Sequence, residues 1–366
     1  VLERYGHGGD LRTAEEAFGR SADQFIDFSS NMNPLGPPSG VKQALYAYAD
    51  IINQYPDPAV RGLRRELAQR HVINEQAIVV GNGAAELIDL IVRALQPKLT
   101  TLVIPCFDEY ADAVRKIGGA LREIQLSSDK QFKLALEDER LFEEAGEESL
   151  IILGSPNNPT GQLVDPEFIK QLLTKGAYVV VDEAFMDFVP EESQFSLVQE
   201  AALHERLFVI RSMTKFYSIP GIRLGYIVGM PRSLNPLKRL QVPWSVNSLA
   251  QLIGETVLGD SEFANRTLGW LQSERPWLTA ELQKMGFEVI PSAANYLLLR
   301  IPRELGLSAS MLQLEMGKLG VLIRDASRFP GLDHTYIRVA IKLREQNGQL
   351  LHALDQCMKA KSGHDK

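Results

Sequence analysis

Two residues at the ends of apolar runs carry the most chemical potential. Lys215 follows LFVIRS (207–212) within the stretch RSMTKFYSIPGIRLGY, and Asp182 closes AYVVVD. A buried amine or carboxylate is costly unless something pairs with it or uses it. A lysine amine condenses with an aldehyde, and a buried aspartate can hold a protonated ring nitrogen. Groups suited to a phosphate accompany them. Gly81-Asn82-Gly83 precedes a helix expected to begin near Ala84 and Ala85, and Ser212, Thr214 and Arg223 cluster around the lysine. Backbone N–H groups at a helix N-terminus bind phosphate, and glycine lets the anion come close. SPNNPTG (155–161) contributes Asn158, and PCFDEY offers Phe107 or Tyr110 as cover for a ring. Taken singly, the Gly-rich turn and the Pro-Thr-Gly turn have ordinary structural readings.

The elements that must position these residues follow from the hydrophobic pattern. AIVV (77–80), TLVIP (101–105), SLIILGSP (149–156), AYVVVDEA (177–184), LFVIRS (207–212) and GYIVG (225–229) are short apolar runs bounded by Gly, Pro and Asp, with amphipathic stretches between several of them. Such runs predict buried strands of a mostly parallel sheet in an α/β fold with helices on both faces. Ligands in such sheets bind beyond the carboxyl ends of the strands, where the polar groups above fall. After about residue 245 comes a long helical stretch, then GFEVI, NYLLLRI, VLIRD and TYIRVAI, as in a smaller α+β domain. The expected division is a large domain at 48–245 and a small one built from 1–47 and 246–366, the N-terminal segment covering substrate.

A lysine, a buried aspartate, an aromatic cover and a phosphate cradle are the parts that pyridoxal 5'-phosphate requires. Asn158-Pro159-Thr160-Gly161, Asp182-Glu183-Ala184, Ser212-x-x-Lys215 and Arg223-x-Gly225, in that order, resemble the fold-type I aminotransferase superfamily. The resemblance implies Lys215 as the Schiff-base lysine, Asp182 on the ring nitrogen and Asn158 on the ring 3-oxygen. It also implies Ser212, Arg223 and the Gly83–Ala85 turn on the phosphate. Tyr55, in QYPDP, matches a tyrosine that reaches the neighbouring subunit's phosphate, which implies a homodimer with shared sites. Related enzymes carry a tyrosine where this chain has Phe185, so Asn158 is expected to hold the ring oxygen unless another donor such as Tyr217 reaches it.

Arg324 in VLIRD and Arg338 in TYIRVAI suit carboxylate or phosphate recognition. By resemblance, Arg338 falls where a substrate carboxylate is gripped, and Arg324 where the histidinol-phosphate branch grips a phosphate. HGGDLRTA, IDFSSNMNPLGPP, VPWSVN and AANYLLLR are similar to the threonine-phosphate decarboxylases of cobalamin synthesis. That similarity implies decarboxylation of a small phosphorylated amino acid, with His7, Gly8, Asn31, Asn158, Arg324 and Arg338 around it. The competing expectations are a histidinol-phosphate aminotransferase and a cofactor-binding regulator without turnover. A net charge of −7 disfavours nucleic acid as a partner. The sequence also lacks an apolar run of membrane-spanning length and a signal-peptide core. With two cysteines, it offers neither a disulfide framework nor a metal-ligand spacing, so a cytoplasmic location is expected.

Overall fold

The computed structural model describes residues 2, 8–135 and 139–362. Among these, seven strands form the main sheet. In spatial order they are Ile78–Gly81, Gly225–Val228, Leu207–Ser212, Tyr178–Asp182, Ser149–Gly154, Leu99–Ile104 and Ala120–Gln125. The last five run parallel, whereas Gly225–Val228 is antiparallel to both of its neighbours. Alternate side chains serve opposite faces, as the pleat demands. Val79, Leu102, Ile152, Val180, Phe208 and Ile227 pack on the helices Ala84–Leu95 and Glu109–Lys116. Val80, Val103, Ile151, Val179, Val181 and Val209 pack on the other side, towards the helix Pro166–Thr174. Burial on both faces explains why these strands read as continuous apolar runs. The edge strand Ala120–Gln125 was absent from the sequence expectation because its residues are largely exposed and include Arg122 and Glu123.

The second sheet is antiparallel, in the order Arg324–Asp325, Tyr336–Ala340, Tyr296–Arg300, Glu288–Val289. The run VLIRD, read in the sequence as a unit, is divided. Val321–Leu322 pairs in parallel with Ile26–Asp27, while Arg324–Asp325 pairs with Tyr336–Ala340. That division ties the N-terminal segment to the second sheet, and Ala340 N donates to Phe28 O at 2.8 Å. The same segment then reaches the main sheet's lysine turn. Asn33 N donates to Lys215 O at 3.2 Å, and Asn33 Nδ2 donates to Phe216 O at 2.8 Å.

Candidate functional site

The parallel strands end at one cavity of about 350 Å³, lined by residues from both sheets and from the N-terminal segment. Lys215, Asp182 and Asn158 line it, as do Arg223, Arg324 and Arg338. Ser212 and Thr214 also reach it, together with Ala84, Ala85, Phe107 and Tyr110; Gly8 and Asn31 form part of its wall. Thus residues far apart in sequence meet where three pieces of backbone converge.

Each position has a local cause. Ser212 ends its strand and caps the turn Met213–Phe216, accepting a hydrogen bond from Thr214 N at 3.4 Å. Its hydroxyl lies 2.8 Å from that of Thr214. Lys215 sits inside this turn, held by the Asn33 contact described above. Gly83 has φ +89°, and a Cβ there would stand 2.5 Å from Arg223 Nη2. The residue must therefore be glycine for the guanidinium to lie against the N-terminus of the helix Ala84–Leu95. Gly8 faces the same requirement, because a Cβ would run into Ser29 O.

The carboxylate and the amide are both oriented. Asp182 accepts from Tyr110 Oη at 2.7 Å and from Ala184 N at 3.0 Å. Burial pushes the Asp182 carboxyl up, while Tyr110, Ala184 N and the Lys215 charge draw it down. Arg338 Nη1 donates to Asn158 Oδ1, leaving the Asn158 amide nitrogen as a donor, and Arg338 Nη2 donates to Ser29 O at 2.8 Å. Ser29 is fixed in turn by Asp27, which accepts from its backbone N at 2.8 Å. Lys215 is half-buried, and its pKa is lowered to about 8, first by desolvation and then by the charges of Arg223 and Arg338. Asp182 opposes that shift.

These groups fit pyridoxal 5'-phosphate. A desolvated carboxylate suits a protonated ring nitrogen, and an amine of lowered pKa suits condensation with an aldehyde. The glycine-lined helix N-terminus, two hydroxyls and a guanidinium suit the phosphate. Two alternatives that the sequence leaves open are narrowed. Tyr110 is 1% exposed and committed to Asp182, so Phe107, half-buried and edge-on to it at 5.7 Å, is the aromatic left to cover a ring. Tyr217 does not line the cavity; it packs on Phe216 and Phe263 and so cannot replace the phenol missing at Phe185. Tyr55 also lies outside the cavity, 83% exposed, with its ring 5.2 Å from that of Trp244. His7 falls outside the described residues. Sequence reasoning missed Ser29, Ser30 and Phe329 in the cavity wall. The first two were visible in SSNMNPLG, but Phe329 sits in a connecting turn with no pattern to single it out.

The pattern of the family described as aminotransferase class I and II matches residues 23–354. The chain belongs to that family, and pyridoxal 5'-phosphate is its cofactor. Within it, the chain is 38% identical to threonine-phosphate decarboxylase of Salmonella typhimurium, over 97% of each chain. Among solved structures, it resembles L-threonine-O-3-phosphate decarboxylase from Porphyromonas gingivalis with a TM-score of 0.79 and 27% identity, covering 91% of this chain and 99% of that one. It also resembles histidinol-phosphate aminotransferase from Clostridium acetobutylicum with a TM-score of 0.84 and 30% identity, again over 91% and 99%.

Proposed function

We propose that the protein decarboxylates L-threonine O-3-phosphate to (R)-1-amino-2-propanol phosphate, the amino-alcohol linker of the cobalamin nucleotide loop. The observation that carries this reading is the pair Arg324 and Arg338, cross-strand partners that line the same cavity as Lys215. A substrate with two anionic ends answers two guanidiniums, each able to bind a carboxylate or phosphate with two parallel hydrogen bonds. The likeness to a threonine-phosphate decarboxylase over nearly the whole chain supports the same substrate.

The bound cofactor supplies an aldehyde for covalent capture and a ring that accepts electrons. The chain supplies the rest. Asp182 would keep the ring nitrogen protonated, and Asn158 would donate its amide N–H to the ring oxygen. Arg324 and Arg338 take the substrate's phosphate and carboxylate, with Asn31 beside them. That two-point grip fixes rotation about the substrate Cα and selects the bond to be broken. Lys215, whose free amine has its pKa lowered to about 8 by desolvation and by the charges of Arg223 and Arg338, would be the group placed to return a proton to the substrate Cα after carbon dioxide leaves. Phe107 covers the ring. The active form is a homodimer in which the exposed Tyr55 reaches the neighbouring subunit's phosphate site.

Incubation of the cofactor-loaded protein with threonine phosphate tests the reading. Carbon dioxide and the amino alcohol phosphate are the expected products. Amino transfer from histidinol phosphate to 2-oxoglutarate, without carbon dioxide release, would replace this assignment with the aminotransferase. Borohydride should trap the cofactor on Lys215, and a trapped adduct surviving in Lys215→Ala would sink the lysine's role.

A further inference from the structure

Arg324 and Arg338 are directly opposite in antiparallel register. Opposed residues project from one face of the pair, and like charges there repel. Besides the hydrogen bonds that orient Arg338, one aromatic ring lies beside both guanidiniums. The ring of Phe329 is centred 5.5 Å from Arg324 Cζ and 5.9 Å from Arg338 Cζ. Phe329 is 3% exposed and forms part of the cavity wall. A second ring, that of Tyr296, faces Arg338 at 5.5 Å.

The local sequence brings Phe329 there. Asp325 Oδ1 accepts from Ser327 N at 2.9 Å and from Ser327 Oγ at 2.6 Å, which starts a tight turn straight after the strand. Phe329 N then closes on Ala326 O at 3.1 Å. The chain doubles back, and the aromatic ring returns against Arg324, the first residue of that strand. Aromatic faces attract a guanidinium without cancelling its charge. A ring of this kind is also rigid, with two side-chain torsions to fix.

We infer that Phe329 is a positioning residue that sets the separation of the Arg324 and Arg338 guanidiniums, and thereby selects ligands whose two anionic groups match it. The inference rests on the two-anion reading of the substrate. Phe329 acts through the arginines: it steers a two-headed ligand and has little influence on a one-headed one.

The test uses two unreactive probes on the cofactor-loaded protein, titrated calorimetrically. One is 3-phosphonopropionate, which carries phosphonate and carboxylate but no amine; the other is inorganic phosphate. Phe329→Leu should weaken 3-phosphonopropionate by about tenfold, the scale of a buried cation–π contact, and inorganic phosphate by less than about threefold. Phe329→Tyr, which keeps the ring, should remain within about threefold of wild type for both probes. Cofactor absorbance and the thermal midpoint verify folding, and Phe329→Met serves if the leucine variant does not fold. Equal weakening of both probes, no weakening of either, or failure of Phe329→Tyr to rescue overturns the inference while leaving the two-anion substrate intact. Wild-type protein that gains nothing from the added carboxylate of 3-phosphonopropionate overturns the two-anion reading, and the inference with it.

Discussion

Arg211 and Arg338 are both buried arginines, and their surroundings differ in kind. Arg211 is fully buried and meets carboxylates: Glu183 at 2.9 Å, Asp187 at 3.5 Å and Glu192 at 2.5 Å. Arg338 meets an amide oxygen, a backbone carbonyl and two aromatic faces. Those neutral groups orient the Arg338 guanidinium along the cavity wall. The two also stand on opposite sides of the chemistry. Arg211 precedes the cavity residue Ser212 in its strand, so alternation turns it away from the cavity, and Glu183, just past the strand end at Asp182, does not line the cavity either. Glu183 N donates to Ile210 O at 2.8 Å, linking the ends of the two strands. Their ion pair clamps the strand ends that carry Asp182 and Ser212, whereas Arg338 lines the cavity. On the proposed reading, one arginine holds the fold and the other a substrate.

The largest expected effect separates these roles. Arg211→Met leaves Glu183, Asp187 and Glu192 facing one another, and breaking a buried pair in this way costs about 3–5 kcal/mol. Urea unfolding measures it, and a loss below about 1 kcal/mol would show that the clamp is not needed. Arg338→Lys should do the reverse. The ligand loses a two-pronged partner, so kcat/KM for threonine phosphate falls roughly a hundredfold, on the scale of about 2–5 kcal/mol for a truncated charge pair. Its unfolding free energy should stay within about 1 kcal/mol of wild type. If the two variants gave similar profiles in both assays, the contrast between the arginines would collapse.

The fold and much of the cavity were legible in the sequence for different physical reasons. Strands buried on both faces leave uninterrupted apolar runs, so Leu99–Ile104, Ser149–Gly154 and Tyr178–Asp182 stood out. The edge strand Ala120–Gln125 has no such obligation and escaped notice. Lys215 and Asp182 were readable because a charge at the end of an apolar run is expensive. Nothing comparable marks Phe329, an apolar residue in an irregular turn whose importance lies in a cross-strand register. The role of Tyr110 was equally hidden: the sequence offers an aromatic near the ring, but the hydrogen bond to Asp182 depends on how a helix docks on the sheet end.

Tyr110→Phe gives a smaller effect on the cofactor side of the comparison. The substitution keeps the ring and removes one donor from a buried carboxylate. Hydrogen bonds to charged groups contribute about 1.5–3 kcal/mol, so cofactor dissociation should rise at least roughly tenfold. Absorbance titration of the apo-protein measures this. Unchanged affinity would mean that Ala184 N and the ring nitrogen suffice to hold Asp182.

The smallest effect is a shift in a pH profile, and it asks whether the arginine charges are felt across the cavity. Lys215 is lowered to about 8 by desolvation first, and then by Arg223 and Arg338. Its neutral amine is the form that captures an aldehyde. Capture of pyridoxal 5'-phosphate by the apo-protein should therefore quicken about tenfold per pH unit below about 8 and level off above it. Arg338→Gln removes a positive charge that disfavours the ammonium, so the folded-state pKa rises and the break moves to higher pH, by a fraction of a unit. The stability linkage has the same origin. With the folded pKa below the unfolded value near 10.4, the cost of charging this lysine is complete below about pH 8 and disappears above the unfolded pKa. Rapid-mixing absorbance records the profile. A break near 10 in the wild type would contradict the desolvation of the amine, and an Arg338→Gln profile identical to wild type would mean that the two groups do not share one electrostatic field.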